Sequence, residues 1–314
     1  MTPETRRRLL QHMAIGCAIL VLAITSLSAY IRLGNVGLGC AEWPQCYGSK
    51  LRQSQRGVDT KASESGATVA ARMLHRLVAV AALLLIVVMA MACLAGKPVL
   101  RREGRLALVL LALAVFLAVL GRWSGGARVP AVNIANLLGG FAMLAICWRL
   151  YQSSNGPPAC PEDFRLRRWA WLALLVVLAQ IALGGLVSAG FAGLSCTGMP
   201  DCGAGVQGAI TLQALDPWRE PIFAEVAAVP ANPSGAAAHM AHRYGAVALL
   251  LAVVPLAWSA IRAGRRRAGS VLLGLLGIEL VLGVLLVSLS LPLAGALAHN
   301  LTAALLLAAI FALS

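Results

Sequence analysis

The sequence predicts an all-α integral membrane protein: eight transmembrane helices arranged as two pseudo-symmetric four-helix bundles. Three observations carry that prediction. The 314 residues are 60% hydrophobic and only 12% charged, with a mean hydropathy of +0.81, a composition outside the range of soluble globules. The apolar residues fall in repeated runs of about 20, the length a helix needs to cross a bilayer, without the polar–apolar alternation of a transmembrane β-barrel. The third observation is an internal repeat. Leu33-Gly-Asn-Val-Gly-Leu-Gly-Cys-Ala-Glu-Trp-Pro-Gln-Cys46 aligns with Ala189-Gly-Phe-Ala-Gly-Leu-Ser-Cys-Thr-Gly-Met-Pro-Asp-Cys202, and His75-Arg76 downstream aligns with His242-Arg243.

Taken in order, the predicted spans are 13–33, 71–95, 106–122, 130–150, 169–190, 236–260, 269–290 and 294–313. The repeat places a four-helix N-terminal half at 1–150 and a second at 169–314, joined by a Ser-, Gly- and Pro-containing linker over 151–168. Its first copy begins inside the first span, which argues against reading that span as a cleaved signal peptide. Each half has one long loop, about 34–70 and 191–235. Four span ends are basic: Arg6, Arg7 and Arg8; Lys97, Arg101, Arg102 and Arg105; Arg149, Arg165, Arg167 and Arg168; Arg262, Arg265, Arg266 and Arg267. With eight spans all four lie on one side, and they hold 15 of the 26 Lys and Arg residues. The positive-inside rule then puts both termini in the cytoplasm, with Trp148, Trp169, Trp171 and Trp258 as an aromatic belt at that interface. The formal charge of +14 is thus assigned to orientation at a lipid bilayer, and nucleic acid is not an expected partner.

Of the eight cysteines, Cys17, Cys93 and Cys147 read as small core residues and Cys160 as a reduced thiol in the linker. The others form two C-x5-C pairs, Cys40–Cys46 and Cys196–Cys202, in loops that face an oxidising compartment under this topology. They are expected to be disulfides or redox-active pairs, with two free thiols at each place as the alternative. Their spacing, with no histidine nearby, does not suit zinc.

His75, His242 and His299 are each expected within about 10 Å of the same membrane surface at 1.5 Å per residue. Lone membrane histidines usually bond between helices. Three at one depth, two of them repeat-related, point instead to axial ligation of haem iron. Arg76 and Arg243 can pair with haem propionates as bidentate donors or merely snorkel. His239, one turn before His242, is expected beside the ligand, facing a propionate. Glu279 is the one acidic residue deep in an apolar run, a proton-handling group or a structural carboxyl in equal measure. Gln180 is its polar analogue.

These residues together resemble the haem A synthase family, the cytochrome oxidase assembly proteins. The resemblance rests on G-L-G-C-A-E-W-P-Q-C-Y-G at 37–48, both His-Arg pairs, Q-I-A-L-G-G-L-V-S-A-G at 180–190 and A-L-A-H-N at 296–300, and covers nearly the whole chain. It implies an enzyme of the bacterial inner membrane, with the cysteine loops periplasmic, that oxidises the C8 methyl of haem O to the formyl group of haem A with oxygen from water. It implies haem B held between His242 and His299, haem O as substrate in the N-terminal half with His75 as ligand, and electrons leaving through the resident haem to an acceptor. Haem O synthase is then the supplying partner, and a homo-oligomer is compatible. The chain departs from the family pattern at two places. Arg72 stands where many members have Glu, and the fourth helix has no histidine, its nearest polar residue being Asn136. His75 is therefore expected as the only imidazole ligand of an open substrate site. The alternatives are a di-haem b-type electron-transfer protein and a haem-handling assembly factor without turnover.

Overall fold

The computed structural model describes residues 2–35, 38, 40–48, 66–123, 129–154, 164–198, 202, 211–221 and 232–314. Among them are eight helices long and apolar enough to span a membrane. They are α1 (Pro3–Asn35), α2 (Gly66–Leu94), α3 (Arg101–Trp123), α4 (Pro130–Ser154), α5 (Phe164–Ala189), α6 (Ala236–Arg262), α7 (Arg266–Ser288) and α8 (Leu293–Phe311). Described Cys-loop segments carry only turns and two short 3-10 turns, at Leu212–Leu215 and Pro233–Gly235.

The helices outrun the apolar spans that announce them. α1 starts at its basic residues, since a helix continues through polar sequence once it leaves lipid. α2 begins at Gly66, five residues before the expected 71, so His75 is the tenth residue of its helix and sits about 13 Å along it rather than about one turn in. α4 runs on to Ser154, where Ser153 and Ser154 turn their hydroxyls back to the Leu150 carbonyl at 2.9 Å. α5 starts at Phe164. Both helices therefore take residues from the expected linker at 151–168. Cys160 lies outside the described residues.

The main packing follows a simple scheme. α1 and α3 each pack on α2 and α4; α5 and α7 each pack on α6 and α8. Across the middle, α4 packs on α5 and α8, and α1 packs on α8. Exchanging α1–α4 for α5–α8 returns the same set of pairs.

The two ends of the bundle differ in chemistry. At one end lie the arginines. Arg6 donates to the carbonyls of Ala92, at 3.4 Å, and Pro98, and Arg7 pairs with Glu103 at 3.5 Å. Arg149 donates to the Ala312 and Ser314 carbonyls at 3.1 and 3.2 Å, covering orphan carbonyls at the negative end of α8. Trp148, Trp171 and Trp258 are exposed there, with the Arg262 guanidinium 5.0 Å from the Trp258 ring. The α6–α7 turn is a Schellman motif: Gly264 has φ +79°, and the Arg265 N–H reaches the Ala260 carbonyl at 2.9 Å.

The opposite end carries Cys40–Cys46 and Cys196–Cys202, both closed as disulfides. Here the first cysteine loop folds onto the second half. Tyr47 is buried, its ring edge-on to Trp43 at 5.6 Å and to Phe191 at 6.0 Å. Its hydroxyl accepts the Gly193 N–H at 3.2 Å, and burial pushes its pKa well above the ordinary phenol value, so it stays neutral. Trp43 Nε1 donates to the Ser290 carbonyl at 3.0 Å. The turns that Tyr47 and Trp43 touch hold non-glycine residues in the left-handed region, Phe191 (φ 53°) and Ser290 (φ 54°), at a cost of about 1–3 kcal/mol each. The aromatic cluster and the Trp43 bond hold those turns in place.

Candidate functional site

Between the helices of the second half, toward the disulfide end, lies a cavity of about 480 Å³. Its size falls in the range of small-molecule and cofactor sites. α5, α6, α7 and α8 supply most of the wall; Leu137 and Phe141 of α4, Arg32 and Leu33 of α1, and Leu38 and Tyr47 of the first cysteine loop complete it. The wall is largely aliphatic. Its polar groups converge: Gln180, His239, His242, Arg243, Glu279, His299, Asn300 and Arg32.

His242 and His299 face one another across this space, with ring centroids 6.2 Å apart and planes at 82°. The local sequence explains the placement. On α6, Ala236, Ala237 and Ala238 are buried, which lets the first turn pack closely under the second cysteine loop. The turn before it is tied down by Asn232, whose Nδ2 donates to the Gly190 carbonyl at 3.1 Å, and by Ser195, whose hydroxyl donates to the Asn232 carbonyl at 2.5 Å. One turn into the helix, His239 is buried; His242 follows on the cavity wall. α5 provides the seat. A Cβ at Gly184 would lie 3.0 Å from Cε1 of His242, so only glycine leaves the imidazole its position. Gln180 Nε2 donates to the His242 carbonyl at 3.0 Å, and Gly245 admits its carboxamide.

Glu279 on α7 stands behind His299, its Oε1 3.3 Å from Nδ1. The distance is that of an ion pair but the alignment is not that of a hydrogen bond, and Glu279 Oε2 is also buried without a partner. Nδ1 of His239, His242 and His299 are likewise buried without hydrogen-bond partners. Buried polar atoms are normally satisfied, so this concentration of orphans around one cavity marks it as built for a ligand.

Of the residues singled out in the sequence, the structure therefore gathers Gln180, His239, His242, Arg243, Glu279 and His299 at one cavity. Arg243 donates to the carbonyls of Gly198 and Cys196 at 2.7 and 2.8 Å, anchoring the second disulfide loop beside the site. His75 on α2 and Asn136 on α4 are partly exposed and line neither this cavity nor the smaller one of about 70 Å³ beside Asn232; Arg76 is exposed. Three contributors were given no role by the sequence reading: Arg32, and Tyr47 and Gly184, which it held only as members of longer motifs. An arginine at the end of a span reads as a snorkelling anchor, and a glycine in a membrane helix reads as plain packing.

Comparison with known proteins covers nearly the same extent as the fold. The family model described as cytochrome oxidase assembly protein matches residues 11–311. A haem A synthase from Shewanella oneidensis is 30% identical over 305 residues, 92% of this chain and 91% of that protein. Haem A synthases from Methylobacterium nodulans and from Methylobacterium sp. strain 4-46 are 39% and 36% identical over 157 and 156 residues, 48% of this chain and 41% of each relative.

Proposed function

We propose, for a chain that belongs to the cytochrome oxidase assembly protein family, that it is a multi-pass membrane haem A synthase, oxidising a ring methyl of haem O to the formyl of haem A with water-derived oxygen. The similarity over nine-tenths of the chain to a protein of that name is the observation that carries this reading. The basic end of the bundle supports a cytoplasmic location for both termini and a periplasmic one for the disulfide loops.

The resident cofactor on this reading is haem B, which His242 and His299 would hold. The residues fit the group. Two metal–imidazole bonds of about 2 Å, plus the distance from each nitrogen to its ring centre, come to roughly 6 Å, against the observed 6.2 Å between centroids. The aliphatic wall from Leu249, Leu276, Val284 and Leu306 suits a flat apolar ring. Bound there, haem supplies one-electron transfer. The protein's part is to hold both imidazoles and exclude water: Gly184 fixes the position of His242, Glu279 orients His299 from behind, and Tyr47 with Leu38 closes the cavity at the disulfide end.

The substrate site on this reading is in the N-terminal half, with His75 as its ligand; the repeated His-Arg pair and the matching helix packing support it. With no histidine on α4, His75 is the one imidazole ligand there, and Asn136 at most a hydrogen-bonding neighbour. One strong ligand suits a molecule that must enter and leave; two suit a resident. Haem O would come from haem O synthase, and the oxidation of its methyl would need an electron acceptor outside the chain.

Co-expression with haem O synthase, followed by chromatography of the extracted haem, tests the reading. Haem A or hydroxylated haem O in the purified protein is expected. Haem B alone refutes it and leaves a di-haem electron-transfer protein or a non-catalytic haem carrier. His242→Ala should lose the low-spin haem spectrum or turn it high-spin, and an unchanged spectrum would remove the ligand assignment.

A further inference from the structure

Among the described residues, Arg32 is a cation of the cavity wall that this reading does not use. It belongs to α1, in the N-terminal half, yet it lines the cavity of the second half together with His242 and His299. Its Nη2 donates to Oδ1 of Asn300 at 3.4 Å, the residue next to His299. Its Nε is buried and has no partner. No carboxylate among the described residues pairs with it. The one acidic side chain of the wall among the described residues, Glu279, faces His299 instead, and Arg243 is engaged with the carbonyls of the second disulfide loop.

A guanidinium removed from water without a counter-charge costs several kcal/mol, and charged side chains kept inside membrane bundles usually serve a ligand or pathway. The fork of Arg matches a carboxylate better than any other anion-binding side chain. We propose that Arg32 binds a carboxylate of the ligand held between His242 and His299, a propionate if that ligand is haem, so that the site in one half is completed by a residue of the other. This rests on the haem reading given above.

The test uses full-length protein purified from a haem-limited host and titrated with haem B and with its dimethyl ester, which lacks the carboxylates. Wild type should bind the acid form tighter than the ester by roughly ten- to a hundredfold, the range for a hydrogen-bonded charge. Arg32→Gln should lose most of that preference while binding the ester as wild type does, and Arg32→Lys should restore part of it. An undiminished preference in Arg32→Gln overturns the proposal, as does loss of ester binding, which would make Arg32 a structural residue. If wild type binds haem without a bis-imidazole low-spin spectrum, the ligand pair fails first and Arg32 falls with it; if that spectrum forms and only the preference is unmoved, Arg32 alone fails.

Discussion

On the proposed haem ligation, replacing Glu279 tests whether the carboxylate behind His299 governs how firmly that imidazole would hold iron. In the structure Oε1 stands 3.3 Å from Nδ1, and the two side chains retain 12% and 22% exposure. A pair this far from solvent is weakly screened, but the distance lies just beyond the 2.7–3.2 Å of a good hydrogen bond. Outer partners of metal-ligating histidines typically contribute ten- to a hundredfold in affinity; the long contact argues for the lower figure, about 1.4 kcal/mol. Glu279→Leu should therefore release haem to an excess of a haem scavenger about ten times faster than wild type, while Glu279→Gln, which keeps an acceptor oxygen but no charge, falls between. The variants should also differ in reduction potential, because a less basic imidazole stabilises ferric iron less; removal of the charge should raise the potential. Cavity effects alone would slow or speed release without moving the potential in the order Glu, Gln, Leu. If all three proteins release haem at one rate and share one potential, Glu279 does not orient the ligand.

Other consequences can be checked directly. Gly184→Leu places side-chain atoms where the His242 ring lies, 3.0 Å from a Cβ; it should cost about 1–3 kcal/mol and lower haem per protein while an equivalent change at Gly274, which has open space around its Cβ position, leaves it unaltered. Oxidised protein should resist alkylation at Cys40, Cys46, Cys196 and Cys202 until reduced, and labelling of all four without reductant would discard the bridges. His75→Ala should abolish haem A formation yet keep the haem between His242 and His299, with Asn136→Ala milder; normal haem A output from His75→Ala would move the substrate site elsewhere.

The spans, the repeat and the paired cysteines were legible in the sequence because each is local. A run of about 20 apolar residues announces a bilayer crossing by composition alone, and a spacing repeated at Cys40 and Cys196 needs no tertiary knowledge. Helix ends were less legible: hydropathy marks where lipid begins, whereas the α-helix of His75 begins at Gly66 in sequence that is neither strongly apolar nor helix-breaking. What could not be read was anything that crosses between the halves. Arg32, Tyr47 and Trp43 act on partners 146 to 268 residues away, and no periodicity reports such a separation. The repeat even misleads here, since it invites each half to be pictured as supplying its own wall.

That crossing bears on how the molecule is made. Tyr47 and Trp43 leave the ribosome before the turn at Ser290 and the helix carrying His299. The roof therefore exists before the room beneath it. Until the chain reaches α8, the aromatic cluster has no Ser290 carbonyl to hold and the cavity lacks His299. A ligand that needs both imidazoles can be captured only once α8 is in place. For the same reason, the two halves made as separate polypeptides would each be incomplete, and activity restored by mixing them would measure the re-formation of the contacts from Trp43 to Ser290, Tyr47 to Gly193 and Arg32 to Asn300.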